Sequence, residues 1–206
     1  LDALNRTVPN LTLPDVPAGV SEESNLEVRR WREPKKFGFT PLDHVALTER
    51  HQLVDFEAGA KVAGQKFYFL KNEAVLLEHA LVRLALDRTR ARGYTLFQTP
   101  DLARREVCAG TGYNPTGPER QIYTIEDQDL ALIGTAEITL SGMHIDEILE
   151  ASTLPRRYAG VSHCYRVEAG AAGRFGRGLF RVHQFTKVEM FAYTRPEDSD
   201  AMHAEF

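Results

Sequence analysis

The sequence predicts an α+β chain with helices laid against an antiparallel sheet, on three observations. Two segments near the C-terminus, Tyr158 to Glu168 and Leu179 to Tyr193, alternate side-chain character with the period of two that strands impose. Between about Asn72 and Arg92, apolar residues recur every three or four positions (Ala74, Leu77, Leu81, Leu84, Ala85), the pattern of an amphipathic helix. That helix ends at Gly93 and leads into Tyr94 to Thr99, a β-rich run stopped by Pro100.

The other elements can be read in chain order. Residues 1–46 carry Pro9, Pro14, Pro17, Gly19, Pro34 and Pro41, which break any regular period, so this stretch reads as an ordered connector with one short strand within Ser24 to Arg32. Leu47, Leu53, Val54 and Ala58 suit a helix over Leu47 to Ala60, and the aromatic run Lys66 to Leu70 suits a strand. Asn72 is the expected cap of the long helix. Gly110 to Pro118 reads as a loop, and Asp129 to Leu140 as a mainly apolar strand interrupted by Gly134.

Composition narrows the class. A chain of 206 residues with 43% hydrophobic and 26% charged content can bury a sizeable core, which excludes disorder as its main state. Its 25 basic and 29 acidic residues give a net charge of −4, so any contact with nucleic acid must come from a local patch. The two cysteines, Cys108 and Cys164, make neither a metal knuckle nor a disulfide framework, and a reducing, cytoplasmic setting is expected. No apolar run is long enough to cross a bilayer, so a soluble protein is expected. The chain opens without Met and stops without a helix-ending residue, which suggests a piece of a longer protein.

The two C-terminal strands carry the chemistry. In the first, Ser162, Cys164, Arg166 and Glu168 share one face; in the second, Arg181, His183, Phe185, Lys187 and Glu189 do. Paired as an antiparallel hairpin, these faces form one floor, with a loop between them bearing Gly170, Gly173, Gly176 and Gly178 and Arg174 and Arg177. From Ala169 to Val188 there are four basic residues and no acidic one, a window suited to a polyphosphate. The loop is no phosphate-binding P-loop, because a strand follows it and no Gly-Lys-Ser/Thr ending is present. A merely solvated face is the competing reading. Phe185, wasted on such a face, favours a ligand floor. Thr135 and Glu137 are expected to point together from the end of the apolar strand.

Phe180-Arg181-Val182-His183-Gln184-Phe185-Thr186-Lys187-Val188-Glu189-Met190, preceded by Arg166-Val167-Glu168-Ala169-Gly170, resembles motif 2 of the seryl-tRNA synthetases, a class II aminoacyl-tRNA synthetase family. Thr135-Ala136-Glu137 is similar to the family's serine-binding triplet, and the helix, strand and Pro100 to its motif 1. Pro14-Asp15-Val16-Pro17 and the stretch from Ser21-Glu22-Glu23 to Val28-Arg29-Arg30-Trp31 are similar to the link into its catalytic core.

The resemblance implies a truncated class II antiparallel sheet flanked by helices. Residues 1–46 would connect from a preceding tRNA-binding arm, and 47–206 would be a partial catalytic domain with motif 1 at about 72–100 and motif 2 at about 158–193. The implied activity is serine–tRNA ligation with ATP and Mg²⁺, through seryl-adenylate, on tRNA(Ser), with tRNA(Sec) as a second candidate, in a homodimer formed through motif 1. By resemblance, Arg166 takes the α-phosphate and Arg181 the outer phosphates. Val167, Glu168 and Val182 help hold the nucleotide, and Phe185 stacks on adenine. Thr135, Ala136, Glu137, Arg166 and Glu189 form the serine pocket. Val167 stands where the family commonly has Ser, at a position expected to point outward. Motif 3, with a second ATP arginine and the main Mg²⁺-binding acid, would follow Phe206, so no metal ligand and little aminoacylation activity are expected of these 206 residues alone. Two other readings stand beside this one: a ligase loading an amino acid on a carrier protein, and a silent synthetase-like dimeric binding protein.

Overall fold

The computed structural model describes residues 8, 11–113, 121–168 and 178–206. The chain divides into two compact units, Leu1–Pro41 and Leu42–Phe206. In the first, the regular structure among the described residues is a single 3₁₀ turn, Glu22–Ser24. The strand expected within Ser24 to Arg32 is absent: Leu26 and Val28 are 72% and 91% exposed, and no described strand pairs with them. Alternation without a partner edge does not hold a strand.

The second unit opens with α1 (His44–Arg50), where the Asp43 carboxylate accepts from the Ala46 N–H at 2.7 Å. The helix expected over Leu47 to Ala60 is in fact two. Between them lies β1 (Val54–Asp55), and Asp55, extended at φ −119°, starts α2 (Phe56–Ala63) by accepting from the Ala58 N–H at 2.9 Å. The strand expected over Lys66 to Leu70 is only β2 (Phe69–Leu70), antiparallel to β1, because Lys66 turns the chain at φ 66°. The long helix is α3 (Glu73–Ala91). Asn72 precedes it but does not cap it, since its side-chain amide donates to Gln52 O at 3.3 Å instead.

β3 (Thr95–Gln98), β6 (Arg156–Tyr165) and β7 (Gln184–Tyr193) make a three-stranded sheet in the order β3-β6-β7. The hairpin pairs antiparallel as expected, from Arg156↔Tyr193 to Tyr165↔Gln184. β3, however, runs parallel to β6, with Thr95 opposite Tyr158. The intervening crossover makes this possible, because parallel neighbours need a long connection. It contains β4 (Leu102–Arg104), α4 (Arg105–Gly110) and β5 (Leu130–Leu132), with β4 and β5 paired antiparallel. The chain ends with α6 (Ser199–Glu205).

The apolar strand expected over Asp129 to Leu140 is β5 followed by α5 (Ala136–Gly142). Ala136, Ile138 and Leu140 are all 0% exposed, so a helix buried on several sides imitates the alternation of a strand. Two apolar clusters hold the unit together. Cys108, Ile122, Ala131, Ile133 and Ile138 form one; Ala136, Leu140 and Tyr158, flanked by Phe97, Phe191 and Tyr193, form the other beneath α5. Gly160 lets α5 approach the sheet: a Cβ there would lie 3.0 Å from Leu140 Cδ1, 3.1 Å from Thr99 Cγ2 and 3.2 Å from Ala136 Cβ. By contrast, Leu77, Leu81 and Leu84 on α3 stay 59%, 57% and 50% exposed.

Candidate active site

The hairpin register sets the floor of the site. Cys164 lies opposite Phe185, Ser162 opposite Lys187 and Gly160 opposite Glu189, so Phe185, Lys187 and Glu189 follow one another along one face of β7. The alternation expected to continue beyond Tyr165 does not, since Arg166, Val167 and Glu168 lie past the end of β6 and Glu168 adopts φ 50°. Similarly, Leu179 to His183 precede β7. The two sides are tied by one backbone and one side-chain bond: Arg166 N–H donates to His183 O at 3.0 Å, and the His183 imidazole Nδ1–H donates back to Arg166 O at 2.8 Å. Val167 N–H donates to Gln121 O at 2.9 Å.

Arg166, Glu168, Arg181, Val182 and Phe185 line one cavity of about 250 Å³, with Tyr68 from the stretch before β2 on its wall. Val167 does not line it. The Arg166 guanidinium carbon sits 5.2 Å from the centre of the Phe185 ring, and its Nε donates to Gly134 O at 3.1 Å. Arg181 reaches Glu168 at 3.5 Å, with the arginine side chain 53% exposed and the carboxylate 10%. Burial, and then the negative charge of Glu78, push the Tyr68 phenol above its usual range, so it stays a neutral donor. Gly178, at φ 81°, closes the C-terminal end of the loop, and a side chain there would run into His44, whose Nε2 accepts from the Leu179 N–H at 3.0 Å. Arg174, Arg177, Gly170, Gly173 and Gly176 lie outside the described residues.

Beside this cavity, Thr135 caps α5 and is 1% exposed. Its hydroxyl donates to Glu189 Oε2 at 2.6 Å and accepts from Lys187 Nζ at 3.1 Å, while Lys187 also ion-pairs with Glu189. Ala136 directs its side chain into the core under α5. Glu137 is exposed in the first helical turn, and so does not share the face of Thr135 as a strand would have required. Cys164, opposite Phe185, is a buried free thiol. Burial pushes its pKa up, against the opposing pull of Ser162, Lys187 and Arg166.

Residues 123–206 match the family described as tRNA synthetase class II core domain (G, H, P, S and T). A serine–tRNA ligase of Rubrobacter xylanophilus is 60% identical over 198 residues, covering 96% of this chain and 47% of that protein. Seryl-tRNA synthetase of Pyrococcus horikoshii, solved with ATP, superposes at a TM-score of 0.93 with 42% identity, over 99% of this chain and 50% of that one. Over nearly its whole length the chain is similar to the seryl-tRNA synthetases. Cytoplasmic serine–tRNA ligase of Naegleria fowleri, solved with AMP, is similar at a TM-score of 0.88 and 30% identity, over 98% of this chain and 48% of its own. The chain spans about half the length of the curated relatives it matches.

Three site residues stand beside those the sequence singled out for roles. Tyr68 belongs to an aromatic run that reads locally as a strand, with nothing to connect it to residues a hundred positions away. His183 is visible on the charged stretch, but its bond to Arg166 O depends on how the hairpin opens. Lys187 is visible in the basic window, but its pairing with Thr135 and Glu189 depends on α5 packing over β7.

Proposed function

We propose that the protein carrying these residues activates L-serine with ATP and transfers it to tRNA(Ser), acting as a homodimer in the cytoplasm. The observation that carries this reading is the cavity of Arg166, Glu168, Arg181, Val182 and Phe185 adjoining the Thr135–Lys187–Glu189 cluster on one sheet floor. Phe185 and Glu189 are four residues apart on one strand, about 13 Å at the usual rise, a span suited to an aminoacyl adenylate laid along it. Residues 1–46 then serve as connector, 47–206 as part of the catalytic domain, with motif 1 at about 72–100 and motif 2 at about 158–193.

In this reading adenine stacks on Phe185 and displaces the Arg166 guanidinium from the ring. Arg166, anchored through Nε, turns its remaining N–H groups to the α-phosphate. Arg181 exchanges Glu168 for the outer phosphates, and Glu168 with the backbone at Val167 and Val182 holds the nucleotide. A serine carboxylate oxygen attacks the α-phosphorus, the bond to pyrophosphate breaks, and the guanidinium groups stabilise the charge on the phosphoryl oxygens without a covalent enzyme intermediate. Transfer follows when a hydroxyl of the terminal adenosine of tRNA attacks the seryl carbonyl carbon and AMP leaves. Thr135 and Glu137 bound the serine pocket, Ala136 serving only as the buried spacer between them, with Glu137 for the ammonium, Arg166 for the carboxylate and Glu189 for the hydroxyl. A site built to bind that hydroxyl rejects alanine strongly.

Mg²⁺, which accompanies ATP in such chemistry, prefers one or two carboxylates plus phosphate oxygens. Among the described residues no group of three or more potential metal ligands occurs, and the described lining of the cavity offers one carboxylate, Glu168, which this reading gives to the nucleotide. These residues do not fit a magnesium site, and the chemistry assigned to the segment is that of its side chains alone. No described helix is long and apolar enough to cross a membrane. The exposed leucines of α3 support the homodimer, since a monomer that left Leu76, Leu77, Leu81 and Leu84 in water would keep an apolar stripe uncovered. The direct test is serine-dependent exchange of pyrophosphate into ATP by the full-length protein. Exchange with serine and not with alanine is expected; its absence in a folded dimer overturns the reading.

A further inference from the structure

The hydroxyl of Thr135 has one proton and two acceptor sites, and all three are in use. The proton goes to Glu189 Oε2 at 2.6 Å, and the oxygen receives Lys187 Nζ at 3.1 Å and the Glu137 N–H at 3.3 Å. The residue is 1% exposed, so no reserve of water stands in for a lost partner. Lys187 also pairs with the same Glu189 oxygen, Oε2. One carboxylate oxygen is thus gripped by a hydroxyl and an ammonium, while among the described residues Oε1 has no hydrogen-bond partner. Lys187 and Glu189 are 32% and 20% exposed, at the mouth of the pocket and not sealed within it.

We propose that Lys187 is a specificity-positioning residue: with Thr135 it clamps Glu189 Oε2, and so presents Oε1 as the single acceptor for the hydroxyl of the amino-acid substrate. The inference rests on the serine-activating reading above and refines its pocket. Thr135 acts through Glu189, since its own hydrogen-bonding capacity is spent. Charge-assisted bonds from two directions fix the carboxylate plane better than either alone. The position of an acceptor matters more for selectivity than for uniform binding, because alanine forfeits only the bond to that acceptor. Lys187 could instead serve the nucleotide, being part of the basic window, or could merely neutralise a half-buried acid. The first role would raise the KM for ATP; the second would lower stability and leave amino-acid discrimination intact.

The experiment uses the full-length protein and measures pyrophosphate exchange with serine and with alanine, varying ATP and amino acid separately. Lys187→Met is expected to raise the serine KM by about tenfold or more and to lower the serine-over-alanine ratio similarly, with the ATP KM held within about twofold. Thr135→Val should shift the same two quantities, and the double variant should be little worse than Lys187→Met, as for residues acting as one unit. Lys187→Arg should recover part of the discrimination. A serine KM and a serine-over-alanine ratio that stay at wild-type values in folded variants overturn the clamp and leave the functional reading standing, as does a rise in both KM values together. A wild-type protein that does not activate serine removes both. If Lys187→Met melts out, Thr135→Val and Lys187→Arg decide by the same readouts.

Discussion

Replacing Gly160 with Ala tests how closely α5 must approach the sheet, and with it the geometry of the proposed serine pocket. The added Cβ would meet Leu140 Cδ1 at 3.0 Å, Thr99 Cγ2 at 3.1 Å and Ala136 Cβ at 3.2 Å, each inside ordinary van der Waals contact. Leu140 can rotate, but Ala136 Cβ is fixed to the α5 backbone, and Thr99 is branched and only 8% exposed. The start of α5 must therefore move by a few tenths of an ångström. Overpacking of this kind costs about 1–3 kcal/mol, and removing glycine's extra freedom in the unfolded chain returns up to about 1 kcal/mol. The net expectation is a loss of about 1–2 kcal/mol, or roughly 2–8 °C in Tm for a chain of this size. Urea denaturation should show a lower midpoint at unchanged slope. Because Gly160 lies opposite Glu189 and α5 begins beside Thr135, the serine KM of the full-length protein should rise while that for ATP holds. Gly110→Ala, with nothing within 4 Å of its Cβ, is the control and should be nearly silent. A Gly160→Ala protein as stable as wild type, with an unchanged serine KM, would refute the close-packing argument.

Other expectations follow from the same geometry. Phe185→Ala should weaken ATP binding by the stacking it removes, about 1–3 kcal/mol or roughly 5- to 150-fold, while Phe185→Tyr keeps most of it; equal affinities for the two variants would remove Phe185 as the adenine platform. Leu81→Glu on α3 should shift the full-length protein from dimer to monomer in sedimentation at micromolar concentration, with the fold retained by circular dichroism at low temperature and the melting temperature lowered only by the lost association. An unchanged dimer would mean that this face is covered by something else. Burial pushes both Cys108 and Cys164 above the ordinary thiol value, so their contribution to stability is complete below the unfolded pKa, about 8.5, and is lost as pH rises through the folded values. Melting temperature should thus decline above about pH 8.5, and less steeply in a Cys108→Ala/Cys164→Ala variant; parallel curves would contradict the assignment.

The long helix, the hairpin and its shared face were legible because each is a local period: α3 keeps its leucines three and four apart, and β7 keeps Phe185, Lys187 and Glu189 two apart whatever surrounds them. The basic window was legible for the same reason, as was the resemblance to the seryl-tRNA synthetases, which one contiguous run carries. Where two periods coincide, reading failed. Ala136, Ile138 and Leu140 alternate like a strand but form a helix, because burial on several sides erases the polar face that would mark it. The corners at Lys66, Asn72 and Glu168 were equally hidden, since positive φ at a non-glycine residue is imposed by neighbours and leaves no composition signal.

By itself, then, the sequence determined which residue types stand on the sheet floor, their spacing along each strand and the class of ligand such a floor suits. Tertiary structure decided which of them meet. That β3 runs parallel beside β6, that α5 sits close enough over Gly160 for Thr135 to reach Glu189, and that Tyr68 closes the cavity of Arg166 and Phe185 all depend on contacts between distant segments. Such contacts are set by how faces fill space and satisfy buried polar groups, and a linear pattern of residues specifies each face without specifying its partner.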